Sequence, residues 1–145
     1  MIAIGCDHAG VEMKKAIIEA LSLQGFEFMD MGTDGEPCDY PDVAASLCNE
    51  ILAGHCEKGI LICGTGIGMS IAANKFKGIR AALCSDSFST RFTRLHNDAN
   101  VMCMGARTLG QGLAIELAEI FLTTSFEGGR HQRRLDLITA IENKE

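Results

Sequence analysis

The stretch Lys58-Gly-Ile-Leu-Ile-Cys-Gly-Thr-Gly-Ile-Gly-Met-Ser-Ile-Ala-Ala-Asn-Lys75 decides how the rest of the chain is read. Gly59 to Cys63 is a short apolar run with β-branched residues, which predicts a strand buried on both faces, as in a parallel sheet. Gly64, Gly66 and Gly68 follow as a turn without side-chain bulk, and Met69 to Lys75 begins a helix. Strand, glycine turn and helix in succession gather backbone N–H groups at a helix N-terminus, where the macrodipole favours negative charge. Cys63 stands at the lip of the strand, facing the turn, and a thiol so placed ionises more readily. The stretch therefore joins a candidate base or nucleophile to a candidate oxyanion cradle. The plainer alternatives are a tight turn without a ligand and a cysteine packed as a small hydrophobe. Three glycines so close together cost backbone entropy, which weighs against an idle turn.

Working outward, Ile2 to Cys6 predicts a first strand, followed by the turn Asp7-His8-Ala9-Gly10. Met13, Ile17, Ala20 and Leu21 recur at helical spacing until Gly25 stops them. Phe26 to Met31 predicts the second strand, and Gly32 to Asp39 a polar loop. Pro41 suits the first turn of a helix whose apolar face is Val43, Leu47 and Ile51, ended by Gly54. Beyond the central stretch, Ile79 to Cys84 predicts the fourth strand. Ser85 or Asp86 can cap a helix with the stripe Phe88, Phe92 and Leu95, and Asn100 to Met104 predicts the fifth strand. Leu113, Leu117 and Ile120 mark a helix broken at Glu127-Gly128-Gly129, and a last helix from Arg130 carries Leu137, Ile138 and Ile141.

Strands alternating with helices predict an α/β fold with a parallel sheet covered on both faces. With no repeat, low-complexity segment or linker, residues 1–145 form a single domain. In such sheets ligands lie outside the carboxyl ends of the strands. The candidates there are Asp7 and His8, Cys63 to Gly68, Ser85 and Asp86, and Gly105 to Arg107.

Composition narrows the class. Apolar residues make up 47% of the chain and charged residues 22%, the balance of an ordinary globular protein. No apolar run is long enough to span a membrane, and the N-terminus lacks the pattern of a signal peptide. A net charge of −6 argues against a nucleic-acid or acidic-membrane surface, so an anionic substrate must be held by a local cluster. The seven cysteines form no C-x-x-C pair and read as reduced thiols of a cytoplasmic protein, with no zinc-ligand spacing among them.

Four further features bear on chemistry. The glycine turn is not a Walker A loop and not a clean G-x-G-x-x-G. Asp86, about 20 residues on, nevertheless keeps a non-catalytic nucleotide-binding module as an alternative. His8 directly follows Asp7 after the first strand, and His96 closes the fourth helix; imidazole suits proton transfer near neutral pH. His55 is assigned no role. In Arg130-His131-Gln132-Arg133-Arg134, Arg130 and Arg134 share a helix face, an arrangement that costs repulsion unless it clamps an anion such as phosphate. Arg107 can join the same anion.

Together these residues resemble the ribose/galactose isomerase family. The matching segments are Gly5-Cys-Asp-His8, Asp39-Tyr-Pro41, Gly59 to Gly68 with Ile71-Ala-Ala-Asn-Lys75, His96-Asn-Asp98 and Glu127-Gly-Gly-Arg-His-Gln132. They run in family order across nearly the whole chain. The resemblance implies a Rossmann-like three-layer α/β/α sandwich with a five-stranded parallel sheet. It implies a homodimer with the active site at the subunit interface, pairing of dimers into tetramers being left open, and the helix 130–143 reaching the partner. It also implies interconversion of ribose 5-phosphate and ribulose 5-phosphate without metal or organic cofactor, a six-carbon sugar phosphate such as allose or galactose 6-phosphate being the alternative substrate. Carried over by position, Cys63 is the base, and Thr65 and His96 open the furanose ring. Gly64, Thr65, Gly66, Ile67 and Gly68 cradle the enediolate oxygen. Asp7, His8, Tyr40 and Asn97 meet the sugar. Arg107, Arg130 and Arg134 hold the phosphate, the last two from the partner subunit in the family. Some members use a carboxylate as the base, and Cys63 places this chain with the thiol users.

Overall fold

The computed structural model describes residues 1–144. Its elements alternate as expected: β1 (Ile2–Cys6), α1 (Val11–Ser22), β2 (Phe28–Gly32), α2 (Tyr40–Leu52), β3 (Lys58–Cys63), α3 (Ile67–Ala73), β4 (Ala81–Leu83), α4 (Ser87–Asn97), β5 (Val101–Gly105), α5 (Gln111–Thr123) and α6 (Arg130–Glu142). All five strands are parallel, in the order β2-β1-β3-β5-β4. The chain leaves β1 toward one edge and β3 toward the other, so a crevice opens above their carboxyl ends, where α/β sheets bind ligands.

Burial on both faces accounts for the apolar runs. Ile2, Ile4, Ile60, Ile62, Met102 and Met104 pack with residues of α1 and α5. Their alternating neighbours Ala3, Leu61, Cys63, Val101 and Cys103 pack with residues of α2 and α3 on the other face. That alternation makes three layers. One charge is sealed within them. Lys14 is 1% exposed, with Nζ 2.7 Å from Asp30 and bonded to the carbonyls of Met31 and Thr33, tying α1 to the end of β2.

Several boundaries differ from the sequence expectation. The central helix starts at Ile67 rather than Met69, because Gly66 at φ +80° turns directly into it. Strand β4 is only Ala81–Leu83, and β2 is shifted to Phe28–Gly32. The apolar stripe expected on α4 does not enter the core. Phe88 is 70% exposed, and Thr90 and Arg94 are buried instead. Arg94 fills its place with bonds to the Thr124 and Ala99 carbonyls and to Asp98, its guanidinium lying 5.7 Å from the Phe121 ring centroid. On α6, Leu137, Ile138 and Ile141 all face outward, and only His131 and Leu135 are buried. No helix among the described residues is long and apolar enough to cross a membrane.

Candidate active site

At the carboxyl end of the sheet, backbone geometry builds most of the site. Cys63 ends β3, nearly buried, and its sulfur accepts the Gly66 N–H at 3.2 Å. Burial pushes the Cys6 and Cys48 thiols up to about 11 and raises those of Cys84 and Cys103. Thr65 Oγ1 accepts the Ile67 N–H, and no side chain caps α3. The Gly68 and Met69 N–H groups are thus the unpaired donors of the first turn, facing the place where an oxyanion would sit.

The glycines are needed because neighbours press on them. A Cβ on Gly66 would stand 2.8 Å from the Met104 backbone, and one on Gly68 would stand 2.5 Å from the Tyr40 ring. Tyr40, first residue of α2, therefore lies against the loop. A Cβ on Gly64 would meet the Arg107 guanidinium at 3.3 Å, and the Arg107 N–H bonds to the Gly64 carbonyl. Asp7 joins this end through its N–H to the Ile62 carbonyl, and its carboxylate accepts the Ala9 N–H, which fixes its orientation. His8 follows it, exposed. Asp7, His8, Tyr40, Cys63 to Gly68 and Arg107 thus form one group.

His96, Asn97, Arg130 and Arg134 form a second group elsewhere. Helix α4 runs antiparallel to the strands, so its end returns to the amino edge of the sheet. There Arg80, just before β4, donates to the Asn97 carbonyl. Arg80 aligns with the start of β3, whereas Cys63 closes it. A six-residue strand spans about 17 Å. The end of α4 that carries His96 and Asn97 is thus anchored at the amino edge through Arg80.

The second group contains two residues with no role assigned from sequence. His131 is buried, its ring stacked on His96 at 4.0 Å between centroids and 14° between planes. Glu127 Oε2 lies 3.2 Å from His131 Nε2 and 3.8 Å from His96 Nε2. Gly128 and Gly129, at φ +72° and +58°, swing the chain so that α6 starts under His96. The Glu-Gly-Gly break was the available signal, but pattern reading treats it only as a helix stop. His96, Glu127 and His131 each offer a ligand atom, all within 4.8 Å of one another. The nearly parallel rings keep their in-plane lone pairs from converging on one point, so the trio does not form a metal centre as it stands.

Asp86 is engaged otherwise than the nucleotide reading requires. Its carboxylate caps α4, accepting the Ser89 N–H at 2.7 Å. It is not free to hold a ribose, and Ser85 is not the cap.

Comparison with known proteins bears on the family and the fold. Residues 2–138 match the family described as Ribose/Galactose Isomerase. The ribose-5-phosphate isomerase B of Escherichia coli (strain K12) is 47% identical over 144 residues, covering 99% of this chain and 97% of that one. The structure of Clostridium thermocellum ribose-5-phosphate isomerase B superposes with a TM-score of 0.94 at 46% identity, covering 97% of this chain and 96% of the other. The Mycoplasma genitalium ribose-5-phosphate isomerase B, solved with bound ribulose-5-phosphate, gives 0.93 at 39% identity, with 99% and 97% covered. A five-stranded parallel sheet, a thiol facing a glycine turn and this match along nearly the whole length agree: the chain belongs to the ribose/galactose isomerase family.

Proposed function

We propose that this chain interconverts ribose 5-phosphate and ribulose 5-phosphate through an enediolate, in a site shared between two copies of the chain. It is an aldose–ketose isomerase. The observation that carries the mechanism is Cys63 Sγ accepting the Gly66 N–H at the mouth of the glycine loop. The Cys63 sulfur stands there beside the oxyanion donors of α3, and a base next to an oxyanion cradle is what proton transfer between adjacent carbons requires.

The Cys63 thiolate takes the proton from C2 of the open-chain aldose, giving an enediolate and a thiol. The hydroxyl proton passes from O2 to O1 of the enediolate, and the thiol returns the carbon-bound proton at C1, giving the ketose and restoring the thiolate. Negative charge on oxygen is met by the Gly64–Gly68 loop, where one preorganised donor is commonly worth about 3 to 4 kcal/mol of barrier. Before this, the furanose ring opens between Thr65 and His96 of the partner subunit. Asp7, His8 and Tyr40, with Asn97 of the partner subunit, meet the sugar. Arg107, with Arg130 of the partner subunit and Arg134 of the partner subunit, holds the phosphate. No step calls for a metal or an organic cofactor. The free thiols suit a reducing compartment, the cytoplasm.

Two features support a shared site. The groups that must act on one sugar lie at opposite ends of the sheet of one chain. Exposed apolar residues also flank both groups: Ile67, Ile71, Leu83 and Phe88 beside the loop, and Leu137, Ile138 and Ile141 on α6. An isologous dimer covers both sets at once.

Initial rates with ribose 5-phosphate, allose 6-phosphate and galactose 6-phosphate test the substrate. The expected result is a kcat/KM highest for the five-carbon sugar. A preference for either six-carbon phosphate moves the assignment to that sugar and leaves the thiol chemistry in place.

A further inference from the structure

We propose that His131 is a positioning residue for ring opening: it holds the His96 imidazole in its working plane by stacking on it, with the Glu127 carboxylate beside both rings. The inference rests on the assignment of ring opening to His96 and extends it to a second histidine.

The geometry is that of a clamp. The His96 ring has His131 stacked on it at 4.0 Å, and Phe92 meets it edge-on at 5.0 Å and 75°. Phe92 is itself stacked on Phe88 at 4.4 Å. His96 is partly exposed, as a group that meets substrate must be, whereas His131 is sealed beneath it. A half-exposed imidazole at a helix end would otherwise turn freely about its side-chain bonds, and misplacing a proton-transfer group by about 1 Å can cost on the order of 100-fold in rate.

His131 is tied down in turn. Its N–H bonds to the Gly128 carbonyl, and Glu127 N–H bonds to the Leu95 carbonyl, so the segment between α5 and α6 is fastened to the end of α4. The charged groups facing the His131 ring are His96 from α4, Glu127 from the connecting segment, and Arg130 and Arg134 from its own helix. Burial, His96 and the two arginines hold His131 below the usual imidazole range against the opposing pull of Glu127. The cost of burying a histidine here is otherwise unexplained, since an apolar residue would fill the space without needing a carboxylate beside it.

The test separates ring opening from proton transfer. Ribulose 5-phosphate has no ring, so deuterium exchange at its C1 in D2O reports Cys63 chemistry alone. Conversion of ribose 5-phosphate reports both steps. For His131→Ala, ribose 5-phosphate turnover is expected to fall by about 10- to 100-fold while C1 exchange stays near wild type. His131→Phe keeps the stack and is expected to recover most of the loss. Adding His131→Ala to His96→Ala should cost nothing further, because the residue acts through His96. Equal loss of exchange and turnover in both His131 variants, or wild-type turnover in His131→Ala, overturns the inference. The parallel His96→Ala enzyme keeps the two proposals distinct. If it loses turnover but His131→Ala does not, only the positioning role fails. If it turns over ribose 5-phosphate at the wild-type rate, the ring-opening assignment fails and the positioning role with it.

Discussion

The two ends of the sheet are built from different materials. At the carboxyl end, the site is mostly backbone: a tight glycine loop pressed between Met104, Tyr40 and Arg107, with the thiol bonded to a main-chain N–H. At the amino edge, the site is made of side chains projecting from the end of α4 and the start of α6, flanked by exposed apolar residues. The first end is complete within one chain and preorganised by its own core. The second carries side chains of catalytic type that, under the proposed function, serve a site on another copy of the chain.

The comparison can be broken or sharpened by substitution. The largest effect is expected from Cys63→Ala at the carboxyl end. Loss of the base should lower kcat by about 10²- to 10⁴-fold while KM and fold persist. A variant with wild-type kcat removes Cys63 from the chemistry. Next comes Arg134→Ala at the amino edge. One lost charge-assisted contact to phosphate, worth about 1.5 to 3 kcal/mol, should cost about 10- to 100-fold in kcat/KM, with kcat itself reduced. Unchanged kinetics in this variant would place the phosphate elsewhere. The smallest effect tests stability. Gly66→Ala forces a side chain into positive φ against the Met104 backbone, and denaturant unfolding should show a loss of about 1 to 3 kcal/mol. The exposed Gly129 also has positive φ but has open space where a Cβ would go, so Gly129→Ala should cost less. Equal losses at the two positions would mean that crowding contributes nothing to the rigidity of the loop.

How much of this the sequence disclosed follows the same division. The strands, their parallel arrangement and the glycine loop were legible because local composition and alternation govern them. Ile60 to Ile62 is apolar because both faces of β3 are covered. Asp7 and Arg107 fell at the carboxyl end by the general rule for such sheets, whereas Tyr40 was indicated only by the family resemblance. The exposed helix faces were harder. Phe88 on α4 and Leu137, Ile138 and Ile141 on α6 have helical spacing, but periodicity reports only that a face is apolar, not whose core it serves. The spacing leaves open what such faces pack against, and in the structure these residues are exposed. His131 was hidden for a related reason. Its partner His96 lies far away in sequence, and only the two positive-φ glycines bring their rings together.

The central claim is that one site takes its base from one subunit and its ring-opening histidine from the other. Mixing Cys63→Ala and His96→Ala subunits after reversible dissociation tests it directly. Each parent is expected to be nearly inactive on ribose 5-phosphate. In a mixed dimer, one of the two sites then receives an intact Cys63 and an intact His96 from different chains. The account predicts that activity returns on mixing. Mixed dimers as inactive as their parents would contradict it and place both residues in the site of a single chain.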